Sequence, residues 1–316
     1  MTTLLFSHDQ CLDHVTPPGH PERVERLEAI GRALAKPEFD ALDRRAAPMG
    51  EEKHVRLAHP LAHLDRIRTS EPVEGYAQID ADTSMAPGSF NAAMRAIGGN
   101  IAAVDAVLSG EASNAFVMTR PPGHHAEKAK PMGFCLFANV AIAALHAIEH
   151  HGLDRVAVLD FDVHHGNGTQ DVLWNESGVR FASSHQMPLY PGTGAPNETG
   201  AYDQIRNAAL DSGSGSQLMR EAWGEHILPW IEAYEPQLIL VSAGFDAHAA
   251  DPLAGLNWRT EDYAWVTDRI VDVAEKVCEG RVVSSLEGGY DLDALAQGTA
   301  AHVKTLMERG ACPTSQ

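Results

Sequence analysis

The sequence predicts an α/β fold in which a mostly parallel central sheet is flanked by helices on both faces. Two observations carry that reading. Short apolar runs at residues 3–6, 115–119, 156–159, 179–184, 238–243 and 282–286 have the length and continuity of strands buried on both faces. Between them lie stretches with helical apolar spacing, and alternating strand and helix signals indicate a parallel sheet wrapped by helices. No linker, repeat or low-complexity segment interrupts residues 1–316, so a single domain is expected.

Taken in order, the strand at 3–6 is followed by a Pro- and His-rich loop at 14–20. A helix is expected over 21–34, with Pro21 near its first turn and Val24, Leu27, Ile30 and Leu34 at helical spacing. His59 and His63 are four apart, a spacing that can hold a metal, but no third ligand is suggested nearby, so a structural or surface role is expected. Residues 75–89 are polar and read as a loop. A helix over 90–108 stops at Ser109-Gly110. Another, over 138–151, is ended by Gly152, and His150 and His151 in its last turn suit the negative end of the helix dipole. Amphipathic helices are expected at 217–234 and 260–277.

The chain has 316 residues, 44% hydrophobic and 21% charged, with a formal net charge of -19. Such a composition can bury a sizeable core. The acidic balance disfavours nucleic acid and suits cationic partners such as lysine-rich peptides or polyamines, or simply keeps the protein soluble. Cys11, Cys135, Cys278 and Cys312 are widely spaced, without a CxxC pair, which fits a reducing compartment and no disulfide framework. The N-terminal stretch has no basic and apolar leader pattern, and no run reaches the roughly 18 apolar residues of a membrane helix. A cytoplasmic protein without a membrane partner is expected, and homo-oligomerisation is left open.

Chemistry concentrates after the run at 156–159. Asp160, Asp162, His164 and His165 follow it directly, then Gly166 and Gly168. In an extended chain Asp160, Asp162 and His164 share one face, and two carboxylates with an imidazole suit a divalent metal. Three other strand ends add polar groups. Arg120-Pro-Pro-Gly-His-His places His124 and His125 on a proline-set bend, Ser242-Ala-Gly-Phe-Asp ends in Asp246, and Tyr290 stands behind Gly288 and Gly289, which allow close backbone approach. Each signal alone is weak. Together they mark the carboxyl ends of parallel strands, where open α/β sheets place ligand sites.

These motifs, with Gly133-Phe-Cys-Leu-Phe-Ala-Asn, Tyr190-Pro-Gly-Thr-Gly and Glu287-Gly-Gly-Tyr, resemble the zinc-dependent histone deacetylase superfamily, which includes acetylpolyamine amidohydrolases and bacterial amidohydrolases. The resemblance runs from about His20 to Tyr290 in the family's order. It implies an arginase/deacetylase-like α/β fold and hydrolysis of an acylated amine, such as an acetyl-lysine peptide, an acetylpolyamine or a small amide. By position it implies Asp162, His164 and Asp246 as ligands of one catalytic zinc. His125 is implied as the base, His124 as its partner oriented by Asp160, and Tyr290 as donor to the oxyanion. Gly133, Phe134, Tyr190, Leu253 and Gly288 are implied to line the substrate tunnel. A structural potassium is implied at Asp160, Asp162, His164, Ser183 and Ser184.

Asn167 stands where one branch of the family carries an aspartate paired to the second histidine. With Tyr190-Pro-Gly-Thr-Gly and His20-Pro-Glu-Arg, it resembles the class II and bacterial branches. No long insertion precedes Gly88 of the kind that gates dedicated polyamine enzymes. Two rival readings are a manganese ureohydrolase, which would want another carboxylate near His164, and a catalytically silent module that only binds acyl groups.

Overall fold

The computed structural model describes residues 2–310; Met1 and Cys312 lie outside them. The strands are β1 (Thr3–Ser7), β2 (Asp43–Ala46), β3 (Ala77–Gln78), β4 (Ser84–Met85), β5 (Asn114–Val117), β6 (Val156–Asp160), β7 (Val179–Gln186), β8 (Ile205–Leu210), β9 (Leu238–Ala243) and β10 (Val282–Leu286). The helices are α1 (Glu25–Leu34), α2 (Glu52–Ala58), α3 (Leu61–Ser70), α4 (Ser89–Leu108), α5 (Asn139–Glu149), α6 (Asn167–Leu173), α7 (Ser216–Glu221), α8 (Leu228–Glu232), α9 (Thr260–Cys278) and α10 (Leu292–Gly310). Eight strands form one sheet in the order β2-β1-β5-β10-β9-β6-β7-β8, and every pairing in it is parallel.

Both faces of this sheet are covered, and the side chains divide between them with period two. Leu4, Phe6, Val156, Val158, Leu238 and Leu240 join the core under α4 and α5. Their alternates Leu5, Ala157, Leu159, Ile239 and Val241 join the opposite core with residues of α1, α9 and α10. That is why the strands read as unbroken apolar runs. Edge strands follow another rule: β2 has the sequence DRRA and alternates between half-buried and exposed, so it carries no buried-strand signal and was not expected.

Several boundaries differ from the sequence expectation for identifiable reasons. Helix α1 begins at Glu25, after Pro21 and Glu22, because Glu22 is fully buried and bound by charged partners. Arg26 Nη1 donates to it at 3.0 Å and Arg120 forks onto both its oxygens. Burial opposes the charge on Glu22, but Arg120, His14 and Arg26 hold its carboxyl well below the usual range. Removing one member of such a buried pair typically costs about 3–5 kcal/mol. The helix expected over 217–234 is divided: a π-helical segment, Ala222–Ile227, separates α7 from α8. Pro229 follows it at the start of α8, where a missing N–H is tolerated. The polar stretch 75–89 contains the small β3–β4 pair, and its last residue, Ser89, opens α4.

His59 and His63 are buried and stacked, ring centroids 4.5 Å apart. His59 Nε2 accepts from Ala138 N at 2.9 Å, and His63 Nε2 bonds Leu136 O at 2.9 Å. Burial pushes His59 down to about 3. Both are structural, fastening the segment that leads into α5. Cys11, Cys135 and Cys278 are free and buried. No helix among the described residues is long and apolar enough to cross a membrane.

Candidate active site

The four strands β5, β10, β9 and β6 are neighbours in the middle of the sheet, and the four polar stretches leave their carboxyl ends. Sheet register sets their depth: Asp160 is level with Ser242 on one side and Ser183 on the other. Asp162, His164 and Asp246 therefore meet. His164 Nδ1 lies 3.1 Å from Asp162 Oδ1 and 3.1 Å from Asp246 Oδ2, and all three ligand atoms fall within 4.8 Å of one another. Two donors at about 2.0–2.1 Å from a tetrahedral zinc would be about 3.3 Å apart, so the donor set fits zinc in both chemistry and spacing. Burial disfavours the charged form of His164, yet its two carboxylate neighbours raise it to about 10. Burial and the Asp162 charge push Asp246 up to about 7. The excess of negative charge at this buried point calls for a cation.

Close backbone approach makes the triad possible. Gly288 N donates to Asp162 Oδ2 at 2.8 Å. A Cβ on Gly288 would overlap the Asp246 carboxylate and come within 2.6 Å of Asp162 Oδ2. A side chain here would collide with two metal ligands.

His124 and His125 stand beside the triad in different electrostatic states. His124 Nδ1 bonds Asp160 Oδ2 at 3.0 Å. Burial opposes its charge, but Asp162 and Asp160 hold it well above the ordinary imidazole range. His125 Nδ1 bonds Asn167 Oδ1 at 2.8 Å. Burial, then the positive charge of His124 and His164, depresses it well below that range. Asn167 Nδ2 donates to Glu127 Oε1 at 2.8 Å. This fixes the amide so that Oδ1 faces the histidine, and His125 Nδ1 must be the donor. The Nε2 lone pair of His125 is thereby left available. One imidazole is kept cationic and its neighbour neutral, the separation expected of paired proton-handling groups.

A cavity of about 220 Å³ opens over these groups, lined by Asp82, His125, Gly133, Phe134, His164, Leu189, Tyr190, Leu253 and Tyr290. Phe134 and Tyr290 pack edge to face at 5.8 Å, and His125 and Tyr190 at 5.2 Å. Phe134 has φ 68° and Gly133 φ 57°; a Cβ on Gly133 would strike the His125 ring. Tyr190 and Leu253 are 38% and 36% exposed, which puts them at the rim, whereas Tyr290 is 9% exposed and lies deeper. The Tyr290 hydroxyl is pushed well above its ordinary range by burial, so it remains a proton donor. Of the oxygens beneath the triad, Asp160 Oδ1 accepts from Asp162 N at 3.0 Å, and Ser184 Oγ accepts from the Trp223 indole at 3.0 Å.

Several supporting residues carried no assigned role in the sequence reading. Glu287 Oε2 accepts from Gly123 N at 2.7 Å and His124 N at 3.1 Å, fixing the histidine bend. Asp251 Oδ2 accepts from Tyr290 N at 2.7 Å. Arg26 donates to Gly289 O at 2.6 Å and to Glu287 O, and its guanidinium lies 5.0 Å from the Tyr290 ring centroid. Asp82 Oδ1 accepts from Gly133 N at 3.0 Å at the cavity mouth. Glu22 and Arg26 had a faint sequence signal in their i, i+4 spacing; Glu127 and Asp251 had none.

Comparison with known proteins agrees with this geometry. Residues 20–306 match the histone deacetylase domain family. The chain is 39% identical over 307 residues to a probable deacetylase of Archaeoglobus fulgidus, covering 93% of this chain and 82% of that protein. It is 39% identical over 284 residues to the histone deacetylase-like amidohydrolase of Pseudomonas aeruginosa, covering 87% and 74%. The crystal structure of the HDA15 HD domain superposes with a TM-score of 0.92 at 31% identity, covering 100% of this chain and 91% of that one. A parallel-sheet fold, a buried Asp-His-Asp metal triad and a family match over nearly the whole chain agree, and the chain belongs to the histone deacetylase domain family as a deacetylase/amidohydrolase.

Proposed function

We propose that this protein is a zinc-dependent amidohydrolase that removes acetyl or similar short acyl groups from amines, with residues 1–316 forming one catalytic domain. The observation that carries the proposal is the convergence, under a narrow cavity, of the Asp162-His164-Asp246 donor set with His124 bonded to Asp160 and His125 bonded to Asn167. When bound there, zinc supplies Lewis acidity toward the acyl oxygen and lowers the pKa of water. His125 Nε2 takes a proton from the attacking water as a C–O bond forms, then delivers it to the amine nitrogen as the C–N bond breaks. His124, paired with Asp160, offsets the negative charge that develops. Tyr290 donates its hydroxyl proton in a hydrogen bond to the oxyanion. Gly133, Phe134, Tyr190 and Leu253 confine the stem of the substrate, and Gly288 gives the triad its room. Asp160, Asp162, His164, Ser183 and Ser184 are proposed to hold a structural potassium through main-chain and side-chain oxygens.

The cavity, about 220 Å³, suits a short acyl group on a slender stem. Asp82 at its mouth and the net charge of -19 suit a lysine-like amine, and they equally favour a polycation such as an acetylpolyamine. The test is a hydrolysis screen of acyl-lysine peptides, acetylpolyamines and small anilides, with acyl length varied. We expect equimolar carboxylate and amine from at least one class, abolished by a chelator and restored by zinc. Full zinc occupancy with no turnover on any class would identify an acyl-binding module and overturn the proposal.

Asn167 gives a separate check on the base. An aspartate there would put a carboxylate 2.8 Å from His125 Nδ1, and a neighbouring anion raises an imidazole's pKa by about 1–3 units. Asn167→Asp should therefore move the acid limb of the kcat/KM profile to higher pH, because His125 stays protonated, and unable to accept, over a wider range. The new carboxylate would also face Glu127 Oε1, which now accepts from the Asn167 amide. Combining the change with Glu127→Gln removes that repulsion and should show the shift in full. The zinc charge and Asp160 act on the same pair, so the measured value belongs to the coupled site. An acid limb that stays put in both proteins would show that Asn167 does not set the charge of His125.

A further inference from the structure

A second group of convergent donors lies toward the amino ends of the strands, away from the carboxyl ends that carry the active site. Helix α5 starts at Asn139, whose Nδ2 donates to Pro121 O at 3.3 Å on the active-site side. It runs for 11 residues, about 16 Å at the α-helical rise, and ends where the chain turns to enter β6 from its amino end. His146 and His150 are four apart on one face of this helix, and His151 follows in the turn. Nitrogen atoms of His146, His150 and His151 all lie within 4.8 Å of one another. Asp105 of α4 faces them: its Oδ1 is 2.7 Å from His146 Nε2 and 2.7 Å from His151 Nε2.

The helix dipole accounts for a histidine in the last turn, but not for three imidazoles with nitrogens within 4.8 Å of one another, two of them on one carboxylate oxygen. The His146 and His150 rings stack at 4.9 Å, and His151 stands across both at 5.4 and 5.1 Å. Imidazole nitrogen is a common ligand of divalent transition metals. His54 is also near, its ring centroid 5.7 Å from that of His146. Its Nδ1 accepts from Glu51 N at 3.1 Å, which leaves the proton on Nε2 and takes it out of the donor set. Asp105, His146 and His150 line a surface cavity of about 460 Å³ that also receives Glu51, Lys53 and Glu149.

We propose that His146, His150 and His151, with Asp105, form a second site for a divalent transition metal of the zinc type, separate from the catalytic triad. Three imidazoles and one carboxylate are a tetrahedral zinc donor set, and i, i+4 histidines on one helix face are a zinc-binding spacing. The imidazole nitrogens lie within 4.8 Å of one another, against the roughly 3.3 Å of a closed tetrahedron; His150 is exposed and His151 partly so, which leaves both rings free to turn inward. Because Asp105 belongs to α4 and the histidines to α5 and its terminal turn, the ion would pin together the two long helices that cover one face of the sheet. Its role is structural: every side chain supplied is a ligand.

The test counts zinc by elemental analysis in the full chain after gel filtration at micromolar zinc. His150→Ala/His151→Ala changes only exposed or partly exposed rings and leaves buried His146 in place. The wild type should retain two equivalents and the double variant one, with unchanged kcat/KM because neither histidine lines the catalytic cavity. His164→Ala reports the catalytic ion separately and should also retain one. In that His164→Ala background, added zinc should raise Tm, and the further loss of His150 and His151 should abolish the rise. A wild type that keeps a single equivalent, or a double variant that keeps as many as the wild type, overturns the proposal.

Discussion

Replacing Asp162, His164 or Asp246 by Ala is expected to abolish zinc retention at the active site and hydrolysis together. Each supplies one of three protein donors, and no other group of three His, Cys, Asp or Glu donors among the described residues joins them at this point. Losing a partner outside the ligand set typically costs about 10–100-fold in metal affinity or activity, so losing a ligand should cost more. The variants differ in what they leave behind. Burial and then the Asp162 charge push Asp246 up to about 7; removing Asp162 or Asp246 relieves the repulsion between the two, so the fold should survive. Removing His164 leaves both carboxylates facing each other without the imidazole, and a lower Tm is expected for that variant. The measurements are zinc by elemental analysis, turnover on one acyl-lysine peptide, and circular dichroism to confirm folding. A folded Asp246→Ala protein with full active-site zinc and wild-type turnover would remove Asp246 from the metal centre.

How much of this arrangement was legible follows from where each signal resides. The central strands β5, β6, β9 and β10 are buried along their whole length, and burial on two faces writes itself into sequence as an unbroken apolar run. Edge strands β2 and β8 are partly exposed, so their patterns resemble loops. Asp162 and His164 could be read from one motif, but the same spacing drew in Asp160, which instead bonds His124, and Asp246 was implied as their partner only by the family resemblance. The groups that hold the site in shape could not be read. Glu127 acts through the side chain of Asn167, Asp251 through the backbone of Tyr290, and Arg26 through carbonyls at the far end of the chain. Each depends on pairs brought together only by the sheet order. The same holds for His146, His150 and His151: the dipole argument explains any one of them, and only the packing of α4 on α5 brings in Asp105.

Tyr290→Phe should separate chemistry from metal binding. Tyr290 lines the cavity beside His125 and His164, and its backbone is fixed independently of its hydroxyl, since Asp251 accepts from its amide and Arg26 lies against its ring. Phenylalanine keeps the ring, its packing against Phe134 and its contact with Arg26, and removes only the donor. Burial holds the phenol well above its ordinary range, so at neutral pH the hydroxyl is protonated and able to donate. Loss of one such donor to an oxyanion typically lowers kcat by about 10²–10³, which is about 2.7–4 kcal/mol of transition-state stabilisation. Zinc content should not change, because no ligand is touched. KM should move far less than kcat, since the bond strengthens as negative charge develops on the acyl oxygen and is weaker to the neutral carbonyl. Steady-state kinetics on one peptide, with zinc measured on the same sample, decide it: unchanged kcat, or a rise confined to KM, would mean that the Tyr290 hydroxyl serves binding and not the oxyanion.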